Sequence, residues 1–470
     1  METRELVIIG AGPGGYAAAF LASDLGIKTT LIDTEINPGG VCLYKGCIPS
    51  KALLHIANVL SEAQLSKNFG VEFGRPKIDI NKMRSWKNDV ITKLTSGLGS
   101  LTRQRKIEYI KGEATFISSN NIEIKKEGNA QETIGFENVI IATGSCPAKI
   151  PGLSIVSPNL LDSTSALYLN DIPKTMLIIG GGYIGLELGT VYAALGTEIT
   201  VAEMLPRLMN GADADLVNVL SKNLHSKFKS VKLNTKVLEI KEAKKGISIT
   251  FEEKDGKRTD NFFDKVLICI GRKPNSKNLG IENTKVKIDE KGFIIVDNQM
   301  RTEDKNIFAI GDVVGEPMLA HKASHEGRVA AEVIAGHNSF FDPKVIPAVV
   351  FTDPEIAWCG ITEDQAKSEN KNITVSKFPW AASGRALTIG RTDGLTKLII
   401  DSDSERVLGV GIVGKGAGDL ISEGALAIEM GANATDIKLT IHPHPTLSET
   451  LMESAEVFFG QSTHVFRPKK

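Results

Sequence analysis

Cys42 and Cys47, set in Gly39-Gly40-Val41-Cys42-Leu43-Tyr44-Lys45-Gly46-Cys47-Ile48-Pro49-Ser50-Lys51, are two thiols close enough in sequence to work as a redox centre. Pro49 suits a first helical turn because it lacks an N–H that would go unpaired there. From Ser50 onward the apolar positions 53, 56, 57 and 60 share one helical face, which predicts a helix just after the pair. A cysteine near the start of that helix lies at the positive end of its dipole, where thiolate is favoured over thiol. Bridging the two sulfurs requires a tight turn at Gly46, because a disulfide needs Cα atoms within about 7 Å. Spacing alone leaves the plainer reading open, two unrelated buried cysteines.

Thiol exchange also needs a base. His444, in Ile441-His442-Pro443-His444-Pro445-Thr446-Leu447-Ser448-Glu449, is the candidate, with Glu449 orienting one ring nitrogen and freeing the other. The two lie five positions apart, so direct pairing demands a turn at Pro445, and His442 is the rival base. No companion cluster has metal-ligand spacing, so no metal is expected. The remaining histidines read as helix or surface residues. Lys51, one turn into the helix, could meet a buried carboxylate. Glu187 is an unusual acid inside an otherwise apolar segment, and a Lys51–Glu187 ion pair is expected if the charges approach within about 6 Å.

These side chains must be positioned by the elements around them. Leu6-Val7-Ile8-Ile9 reads as a buried parallel strand running into Gly10-Ala11-Gly12-Pro13-Gly14-Gly15. In Gly10-x-Gly12-x-x-Gly15 the first glycine permits the turn, the second lets backbone approach a pyrophosphate, and the third lets the helix pack close. A helix over 16–25 and a strand over 29–32 lead to Asp33, 18 residues after Gly15, where a carboxylate can accept from a ribose hydroxyl. The unit then recurs. Thr175–Ile179 runs into Gly180-Gly181-Gly182-Tyr183-Ile184-Gly185, and the following strand ends at Glu203, again 18 residues on. Glu203 suits a free 2′-hydroxyl and repels a 2′-phosphate, which favours NAD over NADP, with Arg207 as a complication.

The repeat extends further. Val139-Ile140-Ile141-Ala142-Thr143-Gly144-Ser145 closes the first unit as Lys265-Val266-Leu267-Ile268-Cys269-Ile270-Gly271-Arg272 closes the second. Residues 107–141 read as an antiparallel meander inserted in the first unit. Past residue 280 another apolar strand ends at Gly311-Asp312, placing a carboxylate at the sheet crevice, and a helix follows Ala320-His321-Lys322, around 324–334. From about Pro347 the pattern changes to antiparallel strands with helices after Gly418, and no third fingerprint appears.

Composition narrows the function. A chain of 470 residues accommodates about three domains. With 55 basic and 56 acidic residues its net charge of -1 points to neither nucleic acid nor an anionic membrane. Five cysteines make a poor disulfide framework and favour a reducing compartment, with Cys146, Cys269 and Cys359 read as inert thiols. No signal or transit segment and no 18-residue apolar span is read, so a cytoplasmic enzyme is expected.

Taken in order, the Cys42–Lys51 motif, the two fingerprints, Ile310-Gly311-Asp312 and His444-Pro445-Thr446-Leu447-Ser448-Glu449 resemble the flavin disulfide reductases over essentially the whole chain. The resemblance implies an α/β fold with two Rossmann-like dinucleotide-binding domains and a C-terminal α+β dimerisation domain. The corresponding bounds are 1–150 and 279–346 for FAD, 151–278 for NAD, and 347–470 for the interface. Cys42 is implied to exchange with the substrate dithiol, Cys47 to form the charge-transfer contact with FAD, and His444 with Glu449 to act from the other subunit of a homodimer. FAD contacts are assigned to Gly10, Gly12, Gly14, Gly15, Asp33, Lys51, Thr143, Gly144, Asp312 and Ala320. NAD contacts are assigned to Gly180, Gly182, Gly185, Glu187, Glu203 and Gly271.

The implied activity is oxidation of protein-bound dihydrolipoamide with reduction of NAD, serving the lipoyl domains of 2-oxoacid dehydrogenase or glycine cleavage complexes. Glutathione reductase is the alternative within the family, opposed by Glu203 and by Ile48-Pro49-Ser50 and Thr446-Leu447-Ser448; a redox-inert nucleotide-binding scaffold is the alternative outside it. Departures from the family pattern are Val41, Tyr44-Lys45, Pro443 and the short acid Asp33. Tyr44 is the one expected to affect access to Cys42.

Overall fold

The computed structural model describes residues 2–153 and 155–466. Its first sheet sets the parallel strand Thr3–Ile9 between Thr29–Asp33 and Gln131–Ile141, with Ile307–Ala309 beyond the latter and Glu108–Ser118 beyond the former. The middles of these strands are apolar because both faces are covered: Leu6 and Ile8 pack against the helices that carry Ala18, Ala22 and Ala330, and Val7 and Ile9 against the antiparallel layer with Phe116, Ile122 and Ile124. The second sheet repeats the arrangement with Thr175–Ile179 between Glu198–Ala202 and Lys265–Ile268, all parallel.

The meander expected over 107–141 is less an insertion than a continuation. Glu108–Ser118 pairs parallel with Thr29–Asp33 through its first residues and then antiparallel with Asn121–Lys126, while Gln131–Ile141 leaves that antiparallel partner to join Thr3–Ile9. Two long strands therefore belong to both layers. The second unit carries a separate antiparallel counterpart, Lys236–Ala243, Gly246–Glu252 and Arg258–Phe263.

The glycine turns are built alike in both units. Gly10 has φ +102°, and a Cβ there would stand 2.3 Å from the Ala142 carbonyl oxygen. Gly180 has φ +106°, and its Cβ would stand 2.3 Å from the Cys269 oxygen. A side chain at either would block the turn against the strand that closes its unit. Gly15 and Gly185 are excluded from carrying a side chain for another reason: a Cβ would meet the Gly10 oxygen at 1.9 Å and the Gly180 oxygen at 2.7 Å, so only glycine lets each helix press onto its own turn.

The third layer is an antiparallel sheet in the order Ala348–Val350, Glu355–Gly360, Val407–Gly414, Leu395–Asp401, Ile373–Pro379. Its core centres on Trp380, fully buried, with the indole N–H donating to Thr396 Oγ1 at 2.9 Å. Lys397 of this sheet is wholly buried and reaches Asp213 (2.8 Å) and Asp215 (3.0 Å) of the second unit, as well as Glu363 (2.5 Å). A buried ammonium with three carboxylates needs that company. No helix among the described residues is long and apolar enough to cross a membrane.

Candidate active site

Cys42 lies in a short helix, Gly40–Lys45, and Cys47 opens the long helix Cys47–Leu65, three residues before the Ser50 start read from the sequence. The break falls at Gly46, whose φ of -146° and ψ of -110° end one helix and start the next. Both cysteines are thiols here and line one cavity of about 340 Å³.

The two sulfurs are in hydrogen-bond contact, and this contact splits their acidities. Cys42 is pushed up by donating its proton to Cys47, with burial adding to the effect. Cys47 is lowered to about 7, chiefly by accepting that hydrogen bond, with Lys51 helping and burial and Glu187 opposing. Although protein encloses most of its surroundings, Cys47 opens onto the cavity. In the reduced, flavin-free protein the ultraviolet absorbance of the thiolate is expected to grow with rising pH through a midpoint near 7. A midpoint at the ordinary thiol value of about 8.5 would mean that the contact does not hold the thiolate.

Lys51 sits one turn along from Cys47, and its Nζ is 2.8 Å from Glu187 Oε2. Ser50 donates to the same oxygen at 3.0 Å, and the Phe351 N–H donates to Oε1 at 3.0 Å. The expected ion pair is therefore present, and Glu187 lines the first cavity and not the second cleft to which the resemblance assigned it. Helix Tyr183–Ala194 turns Glu187 away from its own cleft and into the first cavity, where it is buried at 3% exposure. Replacing Lys51 by methionine leaves a buried carboxylate with two neutral donors and is expected to cost roughly 3 kcal/mol in urea unfolding. The Lys51→Met/Glu187→Gln double variant should recover most of that loss, and a purely additive cycle would show that the pair does not interact.

The cavity fits a flavin dinucleotide on the chemistry of its walls. Gly10, Gly12 and Gly14 lie at one end, where no side chain caps helix Pro13–Asp24, so its first N–H groups are left to an anion. Asp33 stands beside them and accepts from the Ala11 N–H (2.6 Å) and the Glu35 N–H (2.9 Å); burial raises its pKa against these bonds. Lys51, Thr143, Gly144, Asp312 and Ala320 line the remainder with the cysteines. Gly15 does not line it and serves the close approach of the helix instead. Tyr44 does not line it either: its hydroxyl donates to the Asn37 carbonyl at 3.0 Å, and Lys45 pairs with Glu35 at 2.6 Å.

A second cleft of about 820 Å³ is lined by Gly180, Gly182, Glu203 and Gly271, with Gly185 again set behind as a packing residue. Glu203 accepts from the Gly181 N–H (2.6 Å) and the Leu205 N–H (2.8 Å), the counterpart of Asp33 in the first unit. Tyr183, Ile184, Arg272 and Met318 line both cavities, so the two sites share a wall.

Sequence reasoning passed over Ser145, Arg272, Asn275 and Glu326. Ser145 and Arg272 follow the closing glycines of the two units, Gly144 and Gly271, and bond to each other, with Arg272 Nε donating to Ser145 Oγ at 2.7 Å. Ser145 in turn donates to Asp312, the Asn275 side-chain amide donates to the Thr143 carbonyl at 3.0 Å, and the Thr143 hydroxyl donates to the Asn275 carbonyl at 2.8 Å. Their equivalent positions in the repeat were the available signal. Glu326, buried beside Lys322 at 2.6 Å, accepts from the Gly311 N–H and holds the turn that carries Asp312.

His444 and Glu449 line neither cavity of this chain among the described residues. They do meet each other: His444 Nδ1 lies 2.8 Å from Glu449 Oε1, and the Thr446 N–H donates to Oε2 at 2.7 Å. Burial would raise Glu449, yet these hydrogen bonds outweigh it and hold the carboxyl below its usual range. A carboxylate can only accept, so Nδ1 carries the hydrogen and Nε2 of the neutral ring points its lone pair outward. The ring is 75% exposed. His442 is different, with Nε2 at 2.7 Å from Glu423 and Nδ1 at 2.8 Å from the Thr440 carbonyl, so neither nitrogen is free.

Comparison with known proteins agrees with this architecture. Residues 4–327 match the pyridine nucleotide-disulphide oxidoreductase family, and residues 346–455 match its dimerisation domain. The dihydrolipoyl dehydrogenase of Vibrio cholerae is 49% identical over 98% of this chain and 96% of its own length. That of Bacillus subtilis is 44% identical over 99% of this chain and 98% of its own. Among solved structures, a copper(II) complex of the HOCl-induced flavoprotein disulfide reductase RclA from Escherichia coli superposes with a TM-score of 0.87 at 27% identity, covering 97% of this chain and 99% of that one. LpdA from Mycobacterium tuberculosis shares the fold, with a TM-score of 0.88 at 24% identity over 96% of this chain and 99% of that one. A thiol pair and two like-built nucleotide clefts meeting at a common wall thus have their explanation in descent: the chain belongs to the pyridine nucleotide-disulphide oxidoreductases.

Proposed function

We propose that this chain oxidises protein-bound dihydrolipoamide and reduces NAD, using a Cys42–Cys47 disulfide and tightly bound FAD. The observation that carries the reading is the polarised pair of thiols lining a cavity fitted to a flavin and sharing a wall with a second nucleotide cleft. The relatives named dihydrolipoyl dehydrogenase support the choice of dithiol.

In the oxidised enzyme a substrate thiolate attacks the Cys42 sulfur, forming a mixed disulfide and releasing Cys47 as thiolate. Lys51 and the helix amino end stabilise that leaving group. His444 Nε2 then takes the proton of the second substrate thiol, whose sulfur attacks its own neighbour to close the lipoyl ring and expel Cys42. Glu449 keeps the imidazole in the needed tautomer and orientation. A bound FAD would supply the two-electron link between the reduced cysteines and NAD. Gly10, Gly12, Gly14, Asp33, Lys51, Thr143, Gly144, Asp312 and Ala320 would hold it, and Gly180, Gly182, Glu203 and Gly271 would hold NAD.

Because His444 lies outside the cavity of its own chain, it serves Cys42 of a second subunit. The dimerisation-domain match supports that arrangement, as do apolar side chains left bare nearby, including Leu439 and Ile441 at 70% and 95% exposure. The partners are lipoyl domains of 2-oxoacid dehydrogenase or glycine cleavage complexes, and the cysteine usage supports work in the cytoplasm. Steady-state rates with dihydrolipoamide and with glutathione, each against NAD and NADP, test the reading. It requires a yellow protein with turnover confined to dihydrolipoamide and NAD; a colourless protein with unreactive thiols rejects it.

A further inference from the structure

The wall of the second cleft beside Glu203 is the loop 204–213, of which Met204, Leu205, Arg207 and Asn210 line the cleft. The C-terminal sheet holds this loop. The Glu363 N–H donates to Asp213 at 2.9 Å, Lys397 bonds Asp213 and Asp215, and Lys377 pairs with Asp215 at 2.6 Å. Arg207 is caught in the same seam: Nη2 is 3.2 Å from Asp364 Oδ2, and the guanidinium also donates to the Asn210 side chain and carbonyl, each at 3.4 Å. Asp364 lies 157 positions from Arg207, at the start of helix Glu363–Ser368.

A dinucleotide bearing a 2′-phosphate needs two things at its ribose, the absence of a fixed carboxylate and the presence of an available cation. Glu203 denies the first, since two backbone N–H groups fix its carboxylate in place. We infer that Asp364 denies the second and is a specificity-determining residue for the nucleotide substrate, acting through Arg207. It neutralises the guanidinium and, with Asn210, holds it on the seam between domains. NAD preference then has two locks on two domains, and the second lies outside the nucleotide unit altogether. Lys236 and Arg272 also line the cleft; Arg272 is engaged by Ser145, which leaves Lys236 as the competing cation that the test must separate from Arg207.

This inference rests on the NAD reading above, and the design separates their failures. The holoenzyme and its Glu203→Gln, Asp364→Asn, double, and Glu203→Gln/Asp364→Asn/Arg207→Gln variants are compared for kcat/KM with NAD and NADP, with thermal midpoints confirming folding. Asp364→Asn alone should leave NAD use within about twofold and NADP use poor, because Glu203 still repels. In the Glu203→Gln background it should raise NADP kcat/KM by about tenfold, through KM rather than kcat, and more than the single effects multiply to. That gain should shrink as salt is added and vanish with Arg207→Gln. No gain in the Glu203→Gln background, or a gain that survives loss of Arg207, overturns the role of Asp364. A parent enzyme that already uses NADP as well as NAD overturns the NAD reading itself and this inference with it.

Discussion

Serine in place of Cys42 is expected to lower dihydrolipoamide turnover by about 10⁴-fold or more with flavin still bound, because an alcohol oxygen cannot form or exchange a disulfide. Volume hardly changes, so neither the short helix nor the cavity has reason to collapse. The serine hydroxyl can still donate to Cys47, so the remaining thiol should stay below its ordinary value while turnover is lost. Retention of more than a few per cent of activity would place the exchanging thiol elsewhere, with the exposed Cys146 the first to examine. Cys47→Ser should be equally inactive yet lose the long-wavelength absorbance of the reduced protein, and loss of flavin instead would give that cysteine a structural role.

His444→Gln is expected to slow dithiol oxidation by about 10²-fold to 10³-fold with flavin spectra little changed. Glutamine can still hydrogen-bond Glu449, so the turn survives while the proton acceptor is lost. On the proposal that the base serves the neighbouring subunit, mixing two dead proteins is more telling. Unfolding and refolding Cys42→Ser together with His444→Gln gives half heterodimers, each with one intact site, and restores about a quarter of the parent rate. No recovery, with heterodimers shown by mass, would place both groups of a site on one chain.

Much of this architecture was legible because its signals are local. The buried strands, the glycine turns and the acids at 18-residue spacing are short-range patterns, and the structure assembles them into two sheets of matching order. The Lys51–Glu187 pair was readable for a different reason: a carboxylate among apolar helix residues demands a cation. What escaped depends on direction and on distant partners. Glu187 belongs to the second fingerprint by sequence, but the twist of its helix aims it at the first cavity. The helix around Gly40–Lys45 was missed because glycines surround it and no periodicity can show in six residues. Nor does local sequence reveal that helix Ala320–Ile334 begins at Ala320, since its uncapped start is set by packing against the first glycine turn.

Glu187 has a consequence for heredity. One carboxylate accepts from Lys51 and Ser50 of the first nucleotide unit and from the Phe351 backbone of the third layer, while itself belonging to the second. Chimeras that exchange the second unit between relatives will therefore be viable only where residues 51 and 187 travel as a matched set. Recombination among such genes is constrained at that residue pair even though the unit looks, from its sheet, like a freely portable module.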